Sequence, residues 1–458
     1  MFQKSLFVIL VFTWASSVQA EIKIANHQDE TTVRYPVILL RGTADAQAKA
    51  LTVRVAGAEK ECVVVRHDNR FKSLVKLKHG NNVIELQADQ EKPVQLKIAY
   101  DSQTNPHYVR VIWMTDSEGD TTFAAPSDDV PQDYAARLRT AAQLMQTFTA
   151  ESMNGLGFGR RTFRLERDDD GQIVVHTLKA PKKAEHYYQL QDGRWFGETY
   201  RWLNQEHGDP LAKNMVLAAF TRKDPETKRM KAHTALGGGN LGLFGSASVF
   251  SWPRDLDSAI SAFQDAKRVD PTQVHDDSAG RNTYWGLAST TIGATLHEMG
   301  HTFGLPHCKD RFGIMTRGFD HFNRAFTFSD PPSGRNRVER VFTKKQEAYF
   351  APISASYLRW SRWLQLDEQE YSNTARPRIE IDAQKKQVKV SSDSGVAWVG
   401  FWVGSDVHSH RDLKGELPKS VEYSFEEIKK LLGGKTLSHV TTISSNGISA
   451  RKSVERKQ

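Results

Sequence analysis

One segment restricts the chemistry and local fold of this chain more than any other: residues 297–307, which read HEMGHTFGLPH. His297 and His301 are four positions apart, so on a helix both rings project from one face and can reach the same ion. Gly304 allows a sharp turn after the helix that brings His307 round as a third ligand. Three neutral imidazoles leave the fourth position of a tetrahedral zinc ion open, as catalytic sites require. We predict one zinc ion held by these three histidines.

The helix that this motif needs is predicted separately by the apolar pattern from Leu287 to Phe303. Within it, apolar residues recur at helical spacing, and Gly304 is expected to end the helix. Glu298 follows the first predicted ligand, where its carboxylate can act as general base toward the attacking water without binding the metal. The full pattern fixes three His, one Glu and one Gly, so a chance match has odds on the order of one in ten thousand.

The extended motif resembles that of the metzincin clan of zinc peptidases. The resemblance implies a methionine-containing turn beneath the metal, and the sequence FGIMTR at 312–317 would place Met315 there. The stretch from Leu296 to Asn323 is also similar to a metallopeptidase family of fungi and bacteria. Cys308 after the third histidine and Arg317 after the methionine depart from the clan's commoner residues, so no tyrosine ligand is carried over.

The motif and the resemblance together predict a zinc-dependent endopeptidase whose substrate is a protein or a peptide. Two alternatives stay open. The first is a catalytically silent adhesion or binding protein that keeps zinc for structure, although such a protein has no need of Glu298 as a base. The second is a zinc hydrolase that acts on a non-peptide amide or ester.

The first twenty residues have the pattern of a cleavable signal peptide. Lys4 supplies the positive start, 6–12 is an apolar run, and 18–20 offers small residues for cleavage after Ala20. The alternative is a membrane anchor, but the uncharged stretch 5–20 is short for a bilayer span and contains polar residues. We expect a secreted or periplasmic protein without stable membrane insertion.

The formal charge of +8 raises the question of a nucleic-acid partner. The basic residues are spread along the chain, and the only dense run lies in the tail, at 451–452 and 456–457. No basic stripe interleaved with aromatic residues is present in the sequence, so a solvated surface is the better interpretation and no nucleic acid is expected.

A length of 458 residues favours two or three domains, and the sequence changes character accordingly. Residues 21–104 carry short strand-like runs between turn residues and resemble an immunoglobulin-like β-sandwich. Residues 105–372 alternate strands with helices, which favours an α/β domain, and the resemblance implies that this is a catalytic domain of metzincin type. A small β-rich domain is predicted for 373–448, and a disordered basic tail for 449–458. The predicted fold class is therefore α+β and multidomain.

Inside the predicted catalytic domain, the pattern indicates helices at 133–153 and 357–364, a strand at 214–220 and a hairpin around Asp170-Gly171. The glycine-rich segment 234–251 lacks the lysine of a phosphate-binding loop. We read it as a sheet edge whose backbone lies close to another segment or to an extended substrate.

Three further groups of residues have two interpretations each. Cys62 and Cys308 form one disulfide or stay unpaired. His408 and His410 are half of a metal site or solvated side chains. The segment 275–277, His-Asp-Asp, is an ion-binding loop or lid, or a polar surface loop.

Overall fold

The computed structural model describes residues 22–367 and 374–454. The predicted signal peptide therefore lies outside the described residues. Within the described ranges, no helix combines the length and the hydropathy needed to cross a membrane.

The N-terminal part consists of two four-stranded sheets that share one apolar core. Alternating side chains of both sheets, among them Ile38, Val53 and Ile84, are fully buried between them. The strand-like runs predicted in this region form strands, as period-two alternation with turn residues between the runs indicates. The strand orders are β1-β3-β6-β5 and β2-β8-β7-β4. The strands are β1 (Lys23–Ile24), β2 (Thr31–Val33), β3 (Val37–Thr43), β4 (Leu51–Val55), β5 (Val64–His67), β6 (Arg70–Lys76), β7 (Gly80–Ala88) and β8 (Val94–Tyr100).

A five-stranded sheet forms the centre of the molecule, with strand order β10-β9-β11-β15-β14. The strands β10, β9, β11 and β15 run parallel to one another. The last strand, β14, is antiparallel to β15 and lies at the sheet edge. The glycine-rich segment is therefore a sheet edge, as predicted. The strands of this part are β9 (Tyr108–Thr115), β10 (Val175–Lys179), β11 (Ala212–Ala218), β12 (Arg222–Lys223), β13 (Met230–Lys231), β14 (Ala235–Gly238), β15 (Leu241–Gly245), β16 (Ser329–Asp330) and β17 (Arg340–Val341).

Helices cover both faces of this sheet, which gives a mixed α/β architecture. One core holds apolar residues of α1, α5 and α6, and a separate core holds those of α3 and the opposite sheet face. At Gly293 and Gly237 a side chain would collide with the backbone oxygens of Phe319 and Glu298, so these glycines let α5 approach its neighbours closely. The helices are α1 (Tyr134–Gly155), α2 (Ala184–Tyr188), α3 (Asp192–Glu206), α4 (Ala259–Ala262), α5 (Tyr284–Thr302), α6 (Pro352–Leu358) and α7 (Phe425–Leu431), with 3-10 turns at Val249–Ser251, Gly318–Ala325, Lys344–Gln346 and Arg362–Leu364.

The C-terminal part contains two small sheets, β18-β19-β22 and β21-β20-β23-β24, with α7 packed against their core. Trp398, Trp402 and Val407 belong instead to the core of the central part, so the C-terminal strands pack directly on the segment that carries α5 and α6. The strands are β18 (Arg378–Asp382), β19 (Gln387–Ser391), β20 (Val396–Val403), β21 (Asp406–Asp412), β22 (Ser420–Ser424), β23 (His439–Ser444) and β24 (Ser449–Ser453).

Three local predictions need correction. The tail was expected to be disordered from 449, but residues 449–453 pair antiparallel with β23 as β24. The helix predicted at 357–364 is wrong, because α6 ends at Leu358 and Ser361 adopts an extended backbone before a 3-10 turn. The hairpin at Asp170-Gly171 is reduced to one antiparallel bridge, between Arg167 and Ile173. Its second arm leaves to pair with β9 as β10.

A buried ion cluster joins the N-terminal sheets to the central part. Glu347 accepts hydrogen bonds from Lys72 Nζ and Arg41 Nη1, each at 2.7 Å. Burial alone would raise the pKa of Glu347, but the surrounding Lys72, Arg41 and Lys344 outweigh it and lower that pKa to about 2. Burial lowers the pKa of Lys72 to about 7 despite its carboxylate partner. One carboxylate among three cations explains why Glu347 stays ionised.

Glu347→Gln is expected to lower the free energy of unfolding by about 3–5 kcal/mol, because it leaves buried cations without a counter-charge. The side chains of Lys72 and Glu347 are only 3% and 8% exposed. Since the folded-state pKa of Glu347 is depressed, its stabilisation is present above the unfolded-state pKa of about 4.3 and is lost as the pH falls toward 2.

Urea denaturation at neutral pH measures this difference. The control is Glu422→Gln, which breaks an ion pair with Lys389 whose side chains are 51% and 42% exposed. It should change the free energy of unfolding by less than about 1 kcal/mol. Equal effects of the two substitutions would contradict the assigned role of Glu347.

Candidate metal centre and active site

The last two turns of α5 carry His297, Glu298 and His301. His297 and Glu298 are buried, and the helix ends where Gly304 adopts a φ of +93°. That left-handed conformation suits glycine and sends the chain back toward the helix. The turn is closed by a hydrogen bond from Leu305 N to Gly300 O at 3.0 Å. The structure thereby brings His307 to the same place as the two helical histidines.

The three imidazoles converge on one point through their Nε2 atoms. The Nε2 of His301 lies 3.1 Å from that of His297 and 3.2 Å from that of His307, and the remaining pair is 3.2 Å apart. Ligands about 2.0–2.1 Å from a tetrahedral zinc ion are separated by about 3.3 Å. The donor set and its spacing therefore fit one zinc ion.

The protons on two of these rings are fixed by backbone carbonyls. His297 Nδ1 donates to Ile314 O and His301 Nδ1 donates to Leu305 O, each at 2.8 Å. Because a carbonyl can only accept, both Nε2 atoms of the neutral rings carry lone pairs. Burial, with the neighbouring His301, lowers the pKa of His297 to about 3, and burial also lowers that of His301. Lone pairs at such short separations suit a cation that the rings share.

The third histidine is supported from the C-terminal part of the chain. Val407 N donates to His307 O at 3.3 Å, and His307 forms a parallel bridge with Asp406 at the start of β21. The side chain of His307 itself is exposed. The loop after α5 is therefore held between the helix on one side and β21 on the other.

Glu298, the residue after the first histidine, lies in buried surroundings. Its residue is buried, and the edge strand β14 passes so close that Gly237 has no room for a side chain against the Glu298 backbone. Burial raises the pKa of its carboxyl to about 8. A nearby cation would favour the charged carboxylate and lower that pKa again.

Met315 is fully buried directly beneath the helix turn that separates the two histidines of α5. A side chain at Gly300 would collide with the Met315 Sδ. Because glycine has no side chain, the sulfur can lie close to the helix backbone. The turn is tied to the ligand loop by a hydrogen bond from Cys308 N to Met315 O at 3.3 Å. Met315 therefore packs against the part of α5 that carries the two histidines, and its role as a turn methionine stays a prediction.

The sequence also singled out Cys62, Cys308 and Arg317. Cys308 and Cys62 are both free, so the unpaired alternative is confirmed and the disulfide is excluded. The Cys308 Sγ lies 3.2 Å from Thr316 Oγ1, and the Arg317 guanidinium pairs with Asp320. Neither contact involves a ring of the three histidines.

Two groups of metal-ligating side chains with three or more members occur in the described ranges: the three motif histidines, and His233 with His275 and Asp277. His408 and His410 belong to neither, and the His410 ring stacks on Trp398. Sequence reasoning missed Phe319, whose ring contacts the His297 ring edge-on at 5.2 Å. It also missed His233, because a lone histidine before an edge strand carries no local signal.

Comparison with known proteins places the chain among peptidases. Residues 21–397 match the model of the Metallopep family, described as a putative peptidase family. A putative zinc metalloproteinase of Schizosaccharomyces pombe is 30% identical over 334 residues, which cover 67% of this chain and 54% of that protein. A second, from Saccharomyces cerevisiae, is 25% identical over 355 residues, covering 69% and 50%. The chain spans about half the length of these curated relatives.

Two solved structures are similar at a more remote level. The crystal structure of OgpA from Akkermansia muciniphila has a TM-score of 0.46 at 17% identity, and covers 76% of this chain and 93% of its own. The archaemetzincin from Methanopyrus kandleri has a TM-score of 0.24 at 13% identity, covering 55% and 94%.

Proposed function

The chain belongs to the Metallopep peptidase family, and from this premise we propose that it is an exported zinc endopeptidase of metzincin type. In this proposal His297, His301 and His307 hold one zinc ion, and Glu298 is the general base. The convergence of three Nε2 atoms is the observation that carries it, because two of them belong to carbonyl-anchored rings whose Nε2 has a free lone pair. A silent binding protein would not need a buried acid directly after the first ligand in the sequence.

When bound, zinc lowers the pKa of water in the site toward about 7 and polarises the carbonyl oxygen of the scissile bond. Glu298 accepts the proton of the attacking water and delivers it to the nitrogen of the departing amine. Its carboxyl is suited to both steps, because burial raises its pKa and so helps it hold a proton, while a bound cation would favour the charged form that accepts one. Ile314 O and Leu305 O keep the rings of His297 and His301 in one orientation throughout.

The edge strand β14 is the proposed docking place of the substrate backbone. It ends the five-stranded sheet, and Gly237 brings it against the backbone of Glu298. An extended peptide that pairs with this edge would pass the candidate centre with its amide groups hydrogen-bonded. Such pairing recognises the backbone of an extended segment more than its side chains. Because an extended segment can continue on both sides of the centre, this favours cleavage inside protein chains.

The remaining parts of the proposal concern export and architecture. Cleavage of residues 1–20 would release a chain that starts with an immunoglobulin-like sandwich, continues with the catalytic domain at 105–372 and ends with a β-rich domain at 373–448. The contact between Val407 and His307 favours a supporting role of that last domain in the active site.

Digestion of a mixed, unfolded protein sample tests the proposed function. The chain, loaded with zinc, is expected to create new internal peptide termini, which mass spectrometry maps. Chelation should abolish them and added zinc should restore them. Termini that are the same with and without chelator would rule out the zinc peptidase, while cleavage confined to small amides or esters would favour the hydrolase alternative.

A further inference from the structure

A second group of converging donor side chains lies outside the three-histidine centre. His233 lies two residues before β14, and His275 and Asp277 lie on the loop before α5. One donor atom from each of the three lies within 4.8 Å of the other two. The two imidazole rings are 4.9 Å apart between centroids. Two segments distant in sequence thus meet through side chains of types that can ligate a metal ion.

These side chains approach each other without bonding. The Nε2 of His233 lies 3.7 Å from Asp277 Oδ2, which is too long for a hydrogen bond. The opposite ring atom of His233, Nδ1, is buried and has no hydrogen-bond partner among the described residues. The neighbouring Asp276 differs, since it accepts from Ser278 N and Asn282 Nδ2 within its own turn. The spacing between His233 and Asp277 leaves room for an ion.

The local charges also favour a cation at this point. Burial raises the pKa of Asp277, and Asp320 and Asp276 raise it further, while His275 and Arg317 oppose them. Burial lowers the pKa of both His233 and His275, so their rings are neutral and offer lone pairs near neutral pH. A carboxylate in negative surroundings beside two neutral imidazoles is an environment that a divalent cation stabilises.

We propose that His233, His275 and Asp277 form a second site for a divalent cation of the zinc class. Two imidazoles and one carboxylate suit first-row transition ions better than Ca²⁺ or Mg²⁺, which prefer all-oxygen ligands. The ion would clamp the loop before α5 to the start of β14. Because β14 passes the Glu298 backbone at Gly237, the clamp would hold the edge strand in register with the candidate active site.

Zinc binding to the full chain tests this site without any measurement of hydrolysis. The metal-free protein is titrated with zinc against a coloured chelator, and the ions bound per chain are counted. We expect two ions for the wild type and one for Asp277→Asn or His275→Ala, with the affinity of the lost site falling by more than about 10²-fold. His301→Ala should also leave one ion, and its combination with Asp277→Asn none.

His186→Ala is the matched control. The His186 Nε2 contacts Glu198 at 2.7 Å, and the side chains are 39% and 30% exposed, against 23% and 35% for His233 and Asp277. That pair is not part of a three-donor group in the described ranges, so the variant should still bind two ions. The second site is overturned if Asp277→Asn, with an unchanged circular dichroism spectrum, binds as many ions as the wild type. The second site is also overturned if the wild type binds only one ion and this ion is lost in His301→Ala but kept in Asp277→Asn. That result would leave the proposed peptidase function intact.

Discussion

Glu298→Gln is expected to leave zinc bound at the three histidines and to lower kcat/KM for peptide hydrolysis by about 10²–10⁴-fold. The loss corresponds to removal of a positioned general base. Glutamine keeps the size of the buried side chain but cannot accept the proton of the attacking water. Since Glu298 is not one of the three converging donors, the number of zinc ions per chain should not change.

The measurement pairs initial rates on a peptide found by the cleavage mapping with metal analysis of the same samples. Glu206→Gln, an exposed change at the end of α3, is the control and should behave as the wild type. A Glu298→Gln variant that cleaves at the wild-type rate would remove the base from the mechanism. A variant that loses zinc would show instead that Glu298 helps to hold the metal.

His301→Ala is expected to remove the zinc ion of the three-histidine centre and to abolish hydrolysis. Two imidazoles would remain, and His301 Nδ1 would no longer fasten Leu305 O to the end of α5. Because loss of a residue that merely orients a ligand weakens binding by about 10–100-fold, loss of the ligand itself should weaken it by more than about 10²-fold.

The control for this prediction is His410→Ala, which removes a histidine that stacks on Trp398 and belongs to neither three-donor group of the described residues. It should retain the zinc content and the activity of the wild type. Zinc content is measured at equal free zinc for all proteins. If His301→Ala kept both its zinc and its activity, the assignment of the ligands would be wrong.

The local parts of the site were predictable from sequence because a helix repeats every 3.6 residues. That period fixes the relation of His297 to His301, and Gly304 marks the end of α5. The strands of the N-terminal sheets were also predictable from a local repeat, because side chains of a strand alternate between its two faces. Their registers and the packing of β3 on α1 depend on contacts between segments that are far apart in sequence.

Other features of the site depend on backbone groups or on distant pairings and leave no local signal. The carbonyls of Ile314 and Leu305 anchor the rings, but any residue at those positions supplies a carbonyl. His233 meets His275 and Asp277 only because β14 and the loop before α5 pack together. The helix predicted at 357–364 failed because Ser361 takes an extended conformation where the apolar pattern continues.

The central claim is that the Nε2 atoms of His297, His301 and His307 surround one divalent cation. X-ray diffraction from zinc-loaded crystals, recorded on both sides of the zinc absorption edge, tests it directly. We expect an anomalous peak about 2.0–2.1 Å from each of the three Nε2 atoms. An anomalous map with no peak between these rings, at saturating zinc, would contradict the claim.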